Sequence, residues 1–280
     1  MSADLATEVV PNALPQPRMA PRWWRGLMSC LAFLVFPLGW FLPARWFRRV
    51  SDEHLDQGLV IILPGVEGRG FLSFSILTGL SEAGVPYGLE VFDWTTGWKP
   101  LVLYHLRAWR RNQRVAQQVA ERIVGYQRDY PNRPVWIVGH SGGGGMALLT
   151  AAALPEDVRV TGIVLLAPAV SPQFDVASVL GKVEKGIWNY YSWFDWFFVG
   201  LGTSIFGCFD GRHGPAAGMV GFQQLTETVE CSVVSASKAV FEQTRHTWRM
   251  LLQFHAGGHF GCAHRVFVAE SIAPLMLPKR

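Results

Sequence analysis

The stretch that most constrains the fold is Gly139-His140-Ser141-Gly142-Gly143, which lies between a strand-like run and a helix-like run. The residues before it, Val135 to Val138, are apolar and suit a buried strand. The residues after it, Met146 to Ala153, are apolar and favour a helix. A serine flanked by glycines at such a sharp turn predicts an accessible hydroxyl at a helix N-terminus. Ser141 is therefore a candidate nucleophile, because backbone N–H groups at a helix N-terminus stabilise developing negative charge.

The composition suits one large α/β domain. The chain has 280 residues, of which 50% are hydrophobic and only 16% are charged. The net charge of +4 comes from scattered basic residues without a nucleic-acid-binding motif, so no nucleic-acid partner is expected. The four cysteines show no C-x-x-C spacing, which argues against a disulfide framework.

The N-terminal region differs in composition from the rest of the chain. Residues 1–25 contain four prolines and predict a flexible tail. Residues 26–44 contain no charged residue and have arginines on both sides, which predicts a membrane anchor of undetermined orientation. A hydrophobic helix packed on the domain and a cleaved signal peptide are the alternatives. The expected location is a membrane, with a soluble cytoplasmic location as the alternative, and the expected main domain covers residues 45–280.

From Leu59 onwards, strand-like and helix-like runs alternate. This alternation predicts an α/β fold with a mainly parallel sheet covered by helices on both faces, preceded by the N-terminal hydrophobic helix. The predicted strands are Leu59–Leu63, Gly88–Phe92, Val135–Val138, Gly162–Ala167 and Ile187–Ser192. The predicted helices are Phe71–Ala83, one long helix from Leu106 to Tyr126, Met146–Ala153 and a short one within Phe174–Val183.

The order of these features resembles the α/β-hydrolase superfamily. A glycine-rich loop follows the first strand, the G-x-S-x-G turn follows a later strand, and Gly257-Gly258-His259-Phe260 comes near the end of the chain. The resemblance implies that Ser141 is the nucleophile and His259 its base, with an acid between them in the sequence. His255 is expected to be a supporting or structural residue.

Two aspartates compete for the role of the acid. Asp195 follows the strand-like Ile187–Ser192 in the pattern Ser-x-x-Asp, and Asp210 lies in Gly207-Cys208-Phe209-Asp210. The alternation of strands and helices favours Asp195, and Asp210 remains the alternative acid. Whichever aspartate acts should accept a hydrogen bond from His259 and fix its tautomer.

The resemblance also implies an oxyanion hole made of two backbone N–H groups. One should come from Gly142, directly after the nucleophile, and the other from Val66 in the loop after the first strand. Glu67 is expected to point to solvent or to pair with Arg69. His255, His259, Cys262 and His264 raise the question of a metal site, but glycines interrupt any helix that would align them, so no metal and no cofactor are expected.

Eight aromatic residues lie between Trp188 and Phe198. They predict either core packing or an apolar wall or lid for an acyl chain. The function that these features favour is a serine hydrolase acting on small-molecule or lipid esters with apolar acyl groups. The alternatives are an acyltransferase or an amidase or peptidase with the same residues, and a non-catalytic domain that binds at a membrane.

Overall fold

A computed structural model of the chain describes residues 20–223, 229–230 and 239–277. These residues include eight strands in one sheet, in the spatial order β1-β3-β2-β4-β5-β6-β8-β7. The strands are β1 Arg48–Arg49, β2 Leu59–Leu63, β3 Gly88–Val91, β4 Val135–His140, β5 Val160–Leu166, β6 Val183–Tyr191, β7 Val229–Glu230 and β8 Val240–Arg245. Among these strands, β1 pairs antiparallel with β3, and β7 pairs antiparallel with β8. All the other pairs are parallel, which confirms the predicted mainly parallel sheet.

Helices cover both faces of the sheet, as its apolar central strands require. Leu59, Ile61 and Leu63 on β2 pack in one core, while Val60 and Ile62 pack in the other, because successive side chains of a strand point to opposite faces. The helices are α1 Arg22–Leu34, α2 Asp52–Leu55, α3 Phe71–Glu82, α4 Val102–Arg107, α5 Trp109–Asp129, α6 Gly142–Ala152, α7 Ala177–Leu180, α8 Thr203–Phe206, α9 Ala217–Val220 and α10 Arg265–Phe267.

Several short turns of 3-10 or π-helix complete the described structure. They lie at Phe36–Phe41, Ala44–Phe47, Lys99–Leu101, Phe197–Gly202, Trp248–Gln253, Gly261–Ala263, Val268–Ile272 and Ala273–Leu275. Helices α5, α6 and α7 contribute to the core that contains Leu59, and α3 and α10 contribute to the opposite core.

The predicted long helix is two helices. Helix α4 ends at Arg107 and α5 begins at Trp109, because Ala108 has a non-helical ψ of 63°. The buried residues of α5 recur at helical spacing, and they include Ala116, Val119 and Ile123. Trp109, the first residue of α5, is exposed. The sequence therefore predicted helical structure in this region but not the break at Ala108.

The prediction of one hydrophobic helix over residues 26–44 is wrong. Helix α1 ends at Leu34, and a 3-10 turn follows at Phe36–Phe41. Pro37 lies in the first turn of that segment, and a proline has no N–H to continue an α-helix. Within the described part of the chain, no helix has both the length and the apolar character needed to cross a membrane.

Helix α1 packs on the domain through its polar side. The Arg25 guanidinium donates to the Glu82 carboxylate of α3 at 2.9 Å, and Arg22 donates to Glu270 near the end of the described chain. The His264 imidazole Nε2–H donates to the carbonyl of Gly26 at 3.1 Å. These contacts join the first described helix to α3 and to the C-terminal segment.

Candidate active site

Ser141 lies at a strained turn between β4 and α6. Its φ of 53° and ψ of −122° belong to a region that residues with a side chain rarely adopt. A Cβ added at Gly143 would lie 2.1 Å from the Leu63 carbonyl oxygen, so only glycine lets the helix start approach β2 this closely. The turn thus has the geometry expected of a nucleophile elbow.

Asp195 and His259 form a buried hydrogen-bonded pair. The imidazole Nδ1–H of His259 donates to Asp195 Oδ2 at 2.6 Å, and both side chains are almost fully buried. Asp195 follows the end of β6, and the ring of Phe198 stacks on the His259 ring with 4.8 Å between centroids. The sequence-predicted Asp195 is therefore in contact with the sequence-predicted His259.

Asp210 has a different neighbour. Its Oδ1 accepts a hydrogen bond from the backbone N–H of Ser171 at 3.0 Å, and its Oδ2 accepts one from the Ser171 hydroxyl at 2.5 Å. These bonds fasten the loop after β5 to the loop that follows α8. The structure gives Asp210 the contacts of a loop-fixing residue, and it does not bring this carboxylate to His259.

The surroundings of His259 favour its charged form. Burial lowers the pKa of the imidazole, but the negative charge of Asp195 and its hydrogen bond raise it more, and Glu67 adds to the rise. The pKa of His259 consequently lies above the ordinary histidine value of 6.5. An imidazole with a raised pKa accepts a proton more readily than a histidine in water does.

Ser141 and His259 line the same cavity, which has a volume of about 550 Å³. Most of the remaining wall is apolar and comes from three parts of the chain. These are Phe36 and Trp40, the segment from Val102 to Leu106, and the segment from Phe197 to Phe206. The size and lining match a pocket for a small molecule with an apolar part.

The two predicted oxyanion donors belong to neighbouring backbone segments. A Cβ added at Gly142 would lie 2.8 Å from Val66 Cγ1, so the loop after β2 contacts the start of α6. Val66 also lines the cavity with Ser141. The buried His105 on α4 supports this loop, because its Nδ1–H donates to the Val66 carbonyl at 2.9 Å. Its Nε2 accepts a hydrogen bond from the Thr96 N–H.

Glu67 does not point to solvent, and it does not pair with Arg69. Glu67 lines the cavity, and its Oε1 is shielded from solvent without a hydrogen-bond partner among the described residues. The guanidinium of Arg69 instead pairs with Asp93. Burial raises the pKa of Glu67, against the effects of nearby backbone donors, His259 and Lys99. A cavity-lining carboxyl with a raised pKa is the feature that the sequence did not predict.

His140 is a second residue whose part in the site the sequence did not reveal. Its Nε2–H donates to the carbonyl of His259 at 3.1 Å, and the two rings lie 4.9 Å apart. Burial, followed by the charge of His259, lowers the pKa of His140 to about 3. A neutral His140 therefore supports the backbone of the loop that carries His259. In the sequence, this role is indicated by nothing more than a polar residue directly before Ser141.

The aromatic residues from Trp188 to Phe198 divide between the core and the surface. Trp188 and Tyr190 on β6 are buried in the core. Trp193, Phe194, Trp196, Phe197 and Phe198 are all exposed, and the last two line the cavity. This arrangement agrees with the interpretation as an apolar wall.

The remaining predicted polar residues have structural contacts. His255 Nδ1 accepts a hydrogen bond from the Gly257 N–H, and His264 is bonded to Gly26. Within the described residues, no group of three metal-binding side chains is placed to hold an ion.

The chain is similar to known proteins over part of its length. Residues 105–203, which include Ser141 and Asp195, match the family model described as "Serine aminopeptidase, S33". A human monoglyceride lipase is 43% identical over 73 residues, which are 26% of this chain and 23% of that protein. A mouse monoglyceride lipase is 32% identical over 74 residues, or 26% of this chain and 24% of that protein. The similarity thus spans about a quarter of the length of these relatives.

A solved structure of a protein of unknown function from Agrobacterium tumefaciens aligns with 81% of this chain and 87% of that chain, with a TM-score of 0.40 and 12% identity. The topology of the sheet and the turn at Ser141 agree with the match to the serine aminopeptidase family model. The chain belongs to the α/β-hydrolase superfamily.

Proposed function

We propose that the chain is a serine hydrolase that cleaves carboxylic esters with apolar acyl groups through an acyl-serine intermediate. The observation that carries this proposal is the cavity that Ser141 and His259 share, with Asp195 hydrogen-bonded to the far nitrogen of the imidazole. A serine hydroxyl is a weak nucleophile, and a histidine base oriented by a carboxylate is the usual way to activate it.

In the acylation step, His259 Nε2 accepts the proton of the Ser141 hydroxyl while Oγ attacks the ester carbonyl carbon. The carbonyl π electrons move to oxygen, and the N–H groups of Val66 and Gly142 stabilise the resulting oxyanion. When the oxyanion collapses, the bond to the alcohol oxygen breaks, and the leaving alcohol takes the proton from His259. Asp195 keeps Nδ1 protonated and stabilises the imidazolium throughout.

In the deacylation step, water takes the place of the alcohol. His259 removes a proton from the water as its oxygen attacks the acyl carbon, and the same two N–H groups hold the second oxyanion. Breakage of the bond to Oγ releases the carboxylic acid, and His259 returns the proton to Ser141. Each proton that His259 accepts is thus returned within the same half-reaction.

The apolar wall of the cavity supports a substrate with a hydrocarbon acyl group. Phe36, Leu103 and Phe198 are among the lining residues, and apolar surface buried against them favours longer chains. The partial similarity to monoglyceride lipases supports a monoacyl lipid as the substrate class. The match to a serine aminopeptidase family makes an amide substrate the alternative to test beside it.

A fluorophosphonate probe and a series of p-nitrophenyl esters test the proposal. We expect covalent labelling of the full chain, loss of labelling in Ser141→Ala, and kcat/KM that rises with acyl chain length. The exposed Ser178 is the matched control, and Ser178→Ala should label like the unaltered chain. Labelling that persists in Ser141→Ala contradicts the proposal. Faster cleavage of aminoacyl anilides than of esters replaces it with the amidase alternative.

A further inference from the structure

The surface of this chain has an uneven distribution of apolar residues. Among the described residues, large apolar side chains that are exposed occur in four segments, 23–46, 98–109, 193–206 and 248–252. None occurs in residues 110–192, which include α6, α7 and all of α5 except Trp109. Single exposed apolar residues are ordinary, but a set of this size on one part of a protein marks an interaction surface. We call these exposed side chains the apolar face.

Helix α1 has its amphipathic sides reversed relative to a helix that packs on a core. Arg25 and Ser29 are buried against the domain, whereas Trp23, Leu27 and Leu34 on the same helix are exposed. The exposed fraction of Leu34 is 80%, and that of Phe41 in the following turn is 82%. A helix normally turns its apolar stripe inward. The outward stripe of α1 therefore needs a partner outside the domain.

The four segments are connected, and they surround the mouth of the cavity. Phe36 and Phe198 both contact the ring of Phe260, with centroid distances of 5.6 and 5.4 Å. Leu103 and Phe206 are exposed and also line the cavity. The fourth segment joins the third through Phe194 and Trp248, whose ring centroids are 5.5 Å apart. The apolar face is thus continuous with the wall beside Ser141.

The charge of the four segments is almost entirely positive. They contain no acidic residue except Asp195, which is buried against His259. Exposed arginines accompany them, including Arg45 after the first turn and Arg110 after α4. An apolar surface with basic residues at its edge matches a bilayer that carries anionic headgroups.

We infer that this chain docks on the surface of an anionic phospholipid bilayer through the apolar face, with α1 lying in the interface and the cavity mouth turned toward the lipid. The chain rests on the membrane in this arrangement, because its described helices are too short or too polar to cross one. A lipid ester could then move from the bilayer to Ser141 without passing through water. The docking does not require catalysis, so it can be tested apart from the proposed hydrolysis.

Flotation of the full-length Ser141→Ala chain with vesicles tests the inference without consuming lipid. We expect binding to phosphatidylcholine vesicles that contain a quarter phosphatidylglycerol, and weaker binding to phosphatidylcholine alone. Leu34→Ser and Phe41→Ser together should lower the partition coefficient at least tenfold, on the order expected for withdrawing two large apolar side chains from lipid. Trp98→Ser tests the second segment in the same way.

The charge contribution has a matched control on one helix. Arg110→Glu at the start of α5 should weaken binding to the anionic vesicles about fivefold or more, since each basic residue near such a surface adds roughly that factor. Arg128→Glu lies about 27 Å further along the same helix at 1.5 Å per residue and should leave binding unchanged. High salt should reduce the difference between the two variants.

Three results would overturn the inference. One is the absence of vesicle binding, and another is binding that Leu34→Ser and Phe41→Ser leave intact. The third is a dimer in vesicle-free solution that these substitutions dissociate, because a second copy would then cover the apolar face. Chains that carry the same substitutions but retain Ser141 should still hydrolyse a short water-soluble ester. This hydrolysis shows that the fold is intact. It also separates a failure of docking from a failure of the proposed activity.

Discussion

The hydrogen bond between Asp195 and His259 can be tested by changing a single carboxylate. Asp195→Asn should lower kcat for a short ester by about 10⁴-fold, because the amide no longer fixes the productive tautomer or stabilises the imidazolium. The acid limb of the kcat/KM profile should also move to lower pH. Asp195 raises the pKa of His259, so its loss lets burial lower that pKa, and the base stays neutral in more acidic solution. Rates measured from pH 5 to pH 9 check both effects.

Asp210→Asn is the control for this prediction, since Asp210 contacts Ser171 and not His259. We expect kcat to change less than tenfold and the position of the acid limb to stay the same. Stability should fall by about 1–3 kcal/mol, as for other losses of a hydrogen bond to a charged group. If Asp210→Asn costs more activity than Asp195→Asn while its unfolding curve is unchanged, the assignment of the acid is reversed.

Candidate site residues that follow the end of a strand could be predicted from the sequence. Residues whose role depends on the direction of the side chain could not. Asp195 could be preferred over Asp210 because the alternation of elements placed a strand directly before it. The direction of Glu67 was not predictable, because the pairing of Arg69 with Asp93 takes away the partner that the sequence offered. His105 was missed for a similar reason, since its bond to Val66 joins residues on separate elements.

At the level of the elements, the junction of β4 and α6 gives a second prediction. Gly143→Ala should lower the free energy of unfolding by about 2 kcal/mol or more and reduce the labelling of Ser141. The new Cβ would overlap the carbonyl oxygens of Leu63 and Pro64, which are backbone atoms that cannot rotate away. Urea denaturation and probe labelling measure the two effects.

Gly125→Ala is the matched control, because Gly125 lies inside α5 with no atom within 4 Å of the added Cβ. We expect this substitution to stabilise the chain by about 0.5–1 kcal/mol, the usual gain for alanine over glycine within a helix. Equal losses of stability in the two variants would mean that the close approach at Gly143 is not a structural requirement.

The parallel strands were predictable because burial on both faces makes them continuous apolar runs. Strand β2 occupies the predicted Leu59–Leu63, and β4 extends the predicted run by two residues to His140. The break at Ala108 was not predictable, since neither proline nor glycine marks it. The prediction of one hydrophobic helix over residues 26–44 was wrong for a different reason. Its apolar length suggested a span, whereas the contacts of Arg22, Arg25 and Gly26 with distant residues hold α1 to the domain.

For the whole molecule, buried histidines predict acid sensitivity. Burial lowers the pKa of His140 and His255 to about 3 and that of His264 to about 4. The pKa of histidine in the unfolded chain is about 6.5. Below this pH the unfolded chain therefore binds protons at these histidines, whereas the same side chains stay neutral in the folded chain. By linkage the free energy of unfolding falls as pH falls, by something on the order of 3 kcal/mol between pH 6 and pH 5. Urea titrations at several pH values measure this slope.

The pKa of His259 is shifted in the opposite direction, but this shift does not cancel the loss of stability in acid. Its raised pKa adds stability that is fully present below the unfolded value and is lost as pH rises through the folded value, so it contributes no slope in the acid window. His140→Gln should reduce the acid slope, since one of the buried histidines that stay neutral in the folded chain is removed. His213→Gln should leave it unchanged, because that side chain is exposed. An unchanged slope in His140→Gln would show that His140 is not held neutral.

The attachment of α1 to the far end of the chain has a consequence for biosynthesis. During translation α1 leaves the ribosome well before His264 and Glu270, which contact its polar side. For most of the synthesis the helix therefore has only Glu82 of α3 to receive its polar side, while its apolar stripe is exposed. A nascent chain of this kind should depend on a chaperone or on early contact with lipid until the segment that carries His264 and Glu270 emerges.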